Sequence, residues 1–417
     1  MSLPVRHLPL VQNWDCHACG QCCKEYTVHV TPEERAKIES QGWAKLPEFA
    51  GIPLVVRDGW FSRRWRLNHR PDGSCVFLGD DGYCRIHKQF GGTEKPLACQ
   101  VYPYVLIPAG DHWRVGVRFA CPSASGNKGR PVTAQRTDIA AYALQLEDRE
   151  GVRDRTIDPP ALQGRQHVSW DEIRRFTGAL SRILAELGVP MEVKMRRALA
   201  LAALCRQAKF EDVRGRRLDE FLEMVTPAVA GELPANAELP KPGWVGRILF
   251  RMTAALYTRR DTGAKRGVAQ RGRLALLFAA VRFAGGQGRV PKVHGLLPDV
   301  TFEEMERPQG PLPLESEGLL QRYYQVKLDS YQFFGPIHFS RQFWDGFEAL
   351  ALTLPIILWL SRAFASKSRA DAIETALQIV DDNFGYNSLL GTNRQRWITR
   401  ILAGQGELQK LIAWYAR

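Results

Sequence analysis

Cys16-His17-Ala18-Cys19-Gly20-Gln21-Cys22-Cys23 places four thiols within eight residues. Ordinary core packing does not need sulfur at that density. The spacing C-x-x-C-x-x-C-C lets a tight loop turn three or four sulfurs toward one point, and thiolates are soft, anionic ligands suited to Zn²⁺, iron or an iron–sulfur cluster. Gly20 removes a Cβ where the backbone must wrap.

Nine cysteines occur in 417 residues, and eight of them fall between positions 16 and 121: Cys16, Cys19, Cys22, Cys23, Cys75, Cys84, Cys99 and Cys121. These eight are the candidate metal ligands. Cys205 stands apart in an apolar helical stretch and reads as a small buried side chain. The N-terminus MSLPVRHLPLVQNWD has no apolar signal region. The longest apolar run, Ala349–Leu360, is shorter than a bilayer span and contains Pro355. A cytoplasmic protein is therefore expected, and in a reducing compartment clustered thiols point to metal rather than to disulfides.

The second cysteine group is Cys75-Val-Phe-Leu-Gly-Asp-Asp-Gly-Tyr-Cys84-Arg-Ile-His87. Asp81-Gly82 is a turn signal, so Cys75 and Cys84 should flank a hairpin and supply half a metal site. Pro96 and Pro103 bracket Cys99, and a strand over Trp113–Phe119 delivers Cys121-Pro122. His17 and His87 are alternative ligands, but eight thiols make them unnecessary. Adjacent residues point apart, so Cys22 and Cys23 are expected to serve two metals or to bracket a cluster, which favours iron–sulfur over a single zinc.

This order of cysteines, with Lys95-Pro96-x-x-Cys99-x-x-Tyr102-Pro103 between Cys84 and Cys121, resembles the CxxCxxCC cysteine-cluster family, the YkgJ-type zinc- or iron-chelating domains of bacteria. The resemblance covers roughly residues 10–125 and implies that the eight cysteines bind metal. A more distant similarity is to flagellin lysine N-methylases of the FliB type, with which the chain shares its length and a C-x-F-L…C…C-x-x-[FY]-P arrangement. That similarity implies, as an alternative, an S-adenosylmethionine-dependent protein lysine N-methylase. A second alternative is a structural zinc scaffold. No catalytic or S-adenosylmethionine-binding residue is identifiable, so whether the chain is an enzyme stays open.

Around the cysteines, Thr31-Pro32-Glu33-Glu34 starts a helix with a capping residue, a proline at the first position and acids in the first turn. Residues 53–67 read as a hairpin turning at Asp58-Gly59. The Pro/Ser/Gly-rich stretch 122–135 reads as a linker. Beyond it the spacing is helical, and Ser169 with Glu172 forms a capping-box signature. Expected helices cover 138–150, 169–187, 191–209, 217–229, 244–260, 273–284, 338–365, 369–382 and 393–416. The expected fold is α+β: a cysteine-rich metal-binding domain with short strands over residues 1–125, and a mainly α-helical bundle over 126–417. A sub-boundary is expected near 231–243, and a long loop over 285–317.

The formal net charge is +13. Residues 259–273 hold six Lys or Arg against the one acid Asp261, which reads first as a solvated loop between helices and, in a functional reading, as a contact for phosphate or an acidic protein partner. No aromatic residue interleaves this block, and no nucleic-acid motif is present. Phosphate-binding P-loops, dinucleotide fingerprints and G-x-S-x-G elbows are absent. Asp381-Asp382-Asn383 is a polar triplet at a helix end, suited to a metal, to a lysine, or to a plain helix terminus.

Overall fold

A computed structural model describes residues 2–59, 63–150, 157–210, 213–233, 240–260 and 272–417. The fold is α+β, with short strands confined to the first 117 residues and helices dominating thereafter.

The strands are β1 (Val5–His7), β2 (His29–Val30), β3 (Val55–Arg57), β4 (Trp65–Leu67), β5 (Tyr104–Ala109) and β6 (His112–Val117). They form two small sheets, β1-β6-β5 and β2-β4-β3. In the first, β5 and β6 make a hairpin pairing Tyr104 with Val117 and Ala109 with His112, while β1 runs parallel to β6. In the second, β3 and β4 pair Val55 with Leu67, which is the hairpin expected over 53–67.

Interleaved with the strands are α1 (Gln21–Glu25), α2 (Pro32–Ser40), α3 (Arg85–Phe90), α4 (Leu97–Val101) and α5 (Pro122–Ser125). Both strong N-terminal signatures read from the sequence form as expected. Thr31 Oγ1 accepts from the backbone of Glu34, whose carboxylate returns to the Thr31 N–H, and Ser169 with Glu172 does the same at a later helix.

The helical body consists of α6 (Arg136–Glu150), α7 (Trp170–Ala185), α8 (Met191–Gln207), α9 (Arg216–Glu232), α10 (Trp244–Thr258), α11 (Gly272–Gly285), α12 (Phe302–Met305), α13 (Leu314–Asp329), α14 (Phe343–Ser361), α15 (Arg369–Asn383), α16 (Asn393–Gly404) and α17 (Glu407–Ala416). Its axis is α14, every residue of which is buried. Helices α8, α10, α15, α16 and α17 pack around it. Each large apolar side chain so enclosed is worth roughly 1.5–3 kcal/mol, which explains how the helix tolerates Pro355. Together with the turn that follows, Phe343–Phe364 is longer than the apolar run in the sequence indicates. It is long and apolar enough to cross a membrane, yet all of it is covered by neighbouring helices, as a core helix is. Gly346 is needed there, because a Cβ would lie 2.0 Å from the Phe333 carbonyl oxygen.

Two expectations are corrected. The stretch 122–135 is no free linker: it holds α5 and a turn over Val132–Gln135, with Ala124 and Val132 fully buried and Trp14 N–H bonded to the Arg130 carbonyl. The single helix expected over 393–416 breaks into α16 and α17 at Gly404-Gln405-Gly406, where Gly406 takes φ +67°. The long loop expected over 285–317 runs largely without regular structure between α11 and α13, carrying the short α12, the bridge Arg289–Thr301 and core residues Val290, Val293, Leu297 and Val300. Of the expected sub-boundary near 231–243, residues 234–239 lie outside the described residues.

Two apolar cores result. The larger one takes in Val5, Tyr104, Trp113, Val115 and Val117 of the first sheet together with the helices. The smaller one gathers Val30, Ile38, Trp43, Phe49, Leu67, Val76, Phe77 and Ile86 around the second sheet, with Cys23, Cys75, Cys84 and Cys99 against it.

Candidate metal centre

The loop that carries the first thiols is shaped by two left-handed residues, Ala18 (φ +55°) and Gly20 (φ +66°). They turn the chain between Cys16 and α1, with Gly20 immediately before the helix that carries Cys22 and Cys23. The loop lies directly on the turn between Cys75 and Cys84. Gly82 has φ +78°, and a Cβ there would lie 2.0 Å from the Ala18 carbonyl oxygen. Only glycine meets both demands.

Cys75 and Cys84 do flank a turn, but they are not ladder partners. Cys75 pairs with His69 and Cys84 pairs with Leu78, while Gly79 N–H bonds to the Tyr83 carbonyl. The Cys75 N–H donates to the Cys23 carbonyl at 2.7 Å, so the two thiol-bearing segments are joined through backbone. Cys84 is the residue immediately before α3, Cys99 sits within α4 after Pro96, and Cys121 immediately precedes α5.

The thiols of the different segments act on one another electrostatically. Burial and the neighbouring Cys75 thiol push Cys99 far above its ordinary range, with Cys84 and Cys22 adding to the effect. Burial lifts Cys75 to about 11, again with Cys84 and Cys22 contributing. The hydrogen bond with Cys23, and then burial, lift Cys22 still further. Cys22, Cys23, Cys75, Cys84 and Cys99 therefore act on one another. Cys19 is raised by burial and feels Cys22 and Cys16, and Cys121 is raised by burial and feels Cys19. Cys205 is fully buried in α8, where burial alone raises it to about 12 and no other thiol acts on it.

The expected divergence of Cys22 and Cys23 is not found. Their Sγ atoms are 4.0 Å apart. Bonds of about 2.3 Å at tetrahedral angles place two sulfurs about 3.8 Å apart, so adjacency on the first turn of α1 does not bar the pair from one ion. The argument for a cluster over zinc loses that support.

All nine cysteines are free thiols. Among the described residues, no three His, Cys, Asp or Glu side chains already stand together as an ion-holding group. The donor chemistry fits a thiophilic cation nonetheless. Several neutral thiols are buried together, and among nearby cations Lys95 only partly opposes the rise at Cys22 and Cys99. A metal displaces those protons and supplies the missing positive charge. The indole N–H of Trp14, buried and otherwise without a partner among the described residues, favours the Cys121 thiolate. The histidines are peripheral: His17 Nδ1 meets the Asp15 carbonyl at 2.8 Å in an exposed position, and His87 stands beside Lys95.

Sequence reading missed how α1 is fastened to the helical body. Glu25 pairs with Arg260 at 2.7 Å, and the Tyr26 hydroxyl donates to Asp382 at 2.7 Å. Asp382 also receives Arg118 at 2.8 Å. Its neighbour Asp381, wholly buried, pairs with buried Lys327 at 2.5 Å and accepts the Ala120 N–H at 3.0 Å. The acids singled out at the end of α15 are thus committed to cations of this chain. Arg260, expected in a solvated basic block, is only 11% exposed because Glu25 and Asp382 claim it. Residues 261–271 of that block lie outside the described residues.

Residues 15–123 match the CxxCxxCC family model, described as "Putative zinc- or iron-chelating domain". A relative, an uncharacterized protein of Methanocaldococcus jannaschii, is 28% identical over 93 residues. That stretch is 22% of this chain, and the chain spans 29% of the relative's length. No solved structure matches.

Proposed function

We propose that this protein chelates zinc or iron through Cys16, Cys19, Cys22, Cys23, Cys75, Cys84, Cys99 and Cys121, and that the metal organises the first 125 residues. One observation carries the reading: Cys23, Cys75, Cys84 and Cys99 are contributed by four separate segments yet lie as reduced thiols at one small core. Free thiols with raised proton affinity at such a point form a site that soft cations deprotonate and occupy. The match of residues 15–123 to a metal-chelating family supports the same reading.

The metal's role in this proposal is architectural. The second sheet pairs few residues, and its core is small. Binding energy at thiolate sites is folding energy, and here it holds α1 in place. Helix α1 in turn meets the helical body through Glu25–Arg260 and Tyr26–Asp382. The test is metal analysis of the anaerobically purified chain beside Cys75→Ser, Cys99→Ser and Cys205→Ser. The first two should lose metal and lower the unfolding temperature of the cysteine region, and the third should keep full metal content. Equal metal content in all four proteins would overturn the proposal.

A further inference from the structure

Helix α11 is apolar on both sides, and among the described residues only one side has a partner. Ala279 and Phe283 are buried, with Phe283 against Phe302 and Trp359. On the opposite side Leu274, Leu277, Phe278 and Val281 are 71%, 60%, 69% and 61% exposed. They recur at i, i+3, i+4 and i+7, so they form one stripe. Scattered exposed leucines need no explanation, but four large apolar chains aligned on one helix mark a docking surface.

Charge says what kind of surface fits it. From residue 262 to residue 298 the chain has no acid, against seven Lys or Arg: Lys265, Arg266, Arg271, Arg273, Arg282, Arg289 and Lys292. Of these Arg282, Arg289 and Lys292 are exposed around α11 and the connection after it, where Leu296 is also 54% exposed. A protein partner would have to offer a groove matched to a projecting ridge. A lipid surface accepts a ridge without shape matching, and an anionic one answers an unbroken basic stretch.

We propose that α11 seats this protein on an anionic lipid surface. Leu274, Leu277, Phe278 and Val281 enter the boundary between headgroups and acyl chains, and the exposed Arg282, Arg289 and Lys292 meet the phosphates. The test is co-sedimentation of the full-length chain with vesicles of phosphatidylcholine alone or with about 30% phosphatidylglycerol, an anionic content chosen to give a strong surface potential. Binding is expected on the anionic vesicles only. The double variant Leu277→Glu, Phe278→Glu should weaken it on the order of 100-fold, through lost apolar insertion and added repulsion. Arg282→Gln with Lys292→Gln should weaken it roughly 25-fold, at about fivefold per charge. Unfolding curves verify that the variants remain folded, as outward-facing positions predict. Three results each overturn the proposal: no vesicle binding; equal vesicle binding by wild type and the glutamate variant; or a concentration-dependent dimer, abolished by that variant, without vesicle binding. An acidic soluble protein that competes wild type off the vesicles without needing Leu277 or Phe278 would assign the surface to a protein partner instead.

Discussion

Replacing Gly82 by alanine isolates the contact that locks the two halves of the thiol site together. Gly82 and Gly42 both have φ +78°. An added Cβ at Gly42 meets nothing within 4 Å, whereas at Gly82 it lies 2.0 Å from the Ala18 carbonyl oxygen. Both variants carry the left-handed penalty of a Cβ-bearing residue, about 1 kcal/mol. Only Gly82→Ala must also push the Cys16–Cys19 loop away, by roughly 1 Å, to restore a carbon–oxygen contact near 3.3 Å. The atom in the way is backbone, so no rotamer change relieves it. A displaced support beside metal ligands typically costs about 10- to 100-fold in affinity, or roughly 1.4–2.8 kcal/mol. Competition titration of Zn²⁺ against a chromophoric chelator, under reducing anaerobic conditions, should show that loss for Gly82→Ala and near-wild-type affinity for Gly42→Ala. Thermal unfolding should show a modest loss for both. Equal metal affinity in the two variants would refute the idea that this loop-on-turn contact builds the site.

Other consequences follow from the charges buried between the cysteine region and the helices. Asp381→Asn leaves fully buried Lys327 with the Gln332 amide oxygen but without the Asp381 charge that balances it, so a loss of about 3–5 kcal/mol is expected. Thermal unfolding of Asp381→Asn, Lys327→Met and the pair should show strong coupling, with the double variant losing less than the sum. Glu348, buried beside Arg206, is raised from near 4.5 to about 7, chiefly by burial. The folded chain therefore holds a proton that the unfolded chain releases between those values, and this group's contribution to stability falls as pH rises from about 4.5 to about 7. Glu348→Gln should flatten that part of a stability–pH curve measured by urea denaturation. Tyr26→Phe should destabilise the junction by roughly 1–2 kcal/mol by leaving a lone pair of Asp382 unmatched, while Arg118 and Arg260 continue to hold the carboxylate.

Local signals were legible and long-range ones were not. Thr31 with Glu34 and Ser169 with Glu172 announce helix starts because their hydrogen bonds close over three residues. Helix α14 shows as a dense apolar run, since a helix enclosed on all sides needs no polar face. The cysteine spacings point to a thiol site through chemistry that is local to each segment. What spacing cannot convey is where the segments meet. Tyr26 and Asp382 are 356 positions apart, and neither residue type reveals the other. Asp382 therefore reads as an idle polar terminus and Arg260 as a solvated charge until the fold joins them. Cys22 and Cys23 mislead differently: neighbouring side chains usually diverge, yet the first turn of α1 leaves their sulfurs 4.0 Å apart. The Pro, Ser and Gly of 122–135 resemble a linker because packed turns use the same residues. In α11 apolar residues occupy both sides, so periodicity does not say which side faces out.

The most direct test of the account is to purify the chain without oxygen and measure iron, zinc and acid-labile sulfide per chain, with a visible spectrum of the same sample. At least about one thiolate-bound zinc or iron per chain is expected for such donor sets, lost in Cys75→Ser and Cys99→Ser and retained in Cys205→Ser. A fully reduced, folded protein that binds neither metal, with the unfolding temperature unchanged by added Zn²⁺ or Fe²⁺, would contradict it.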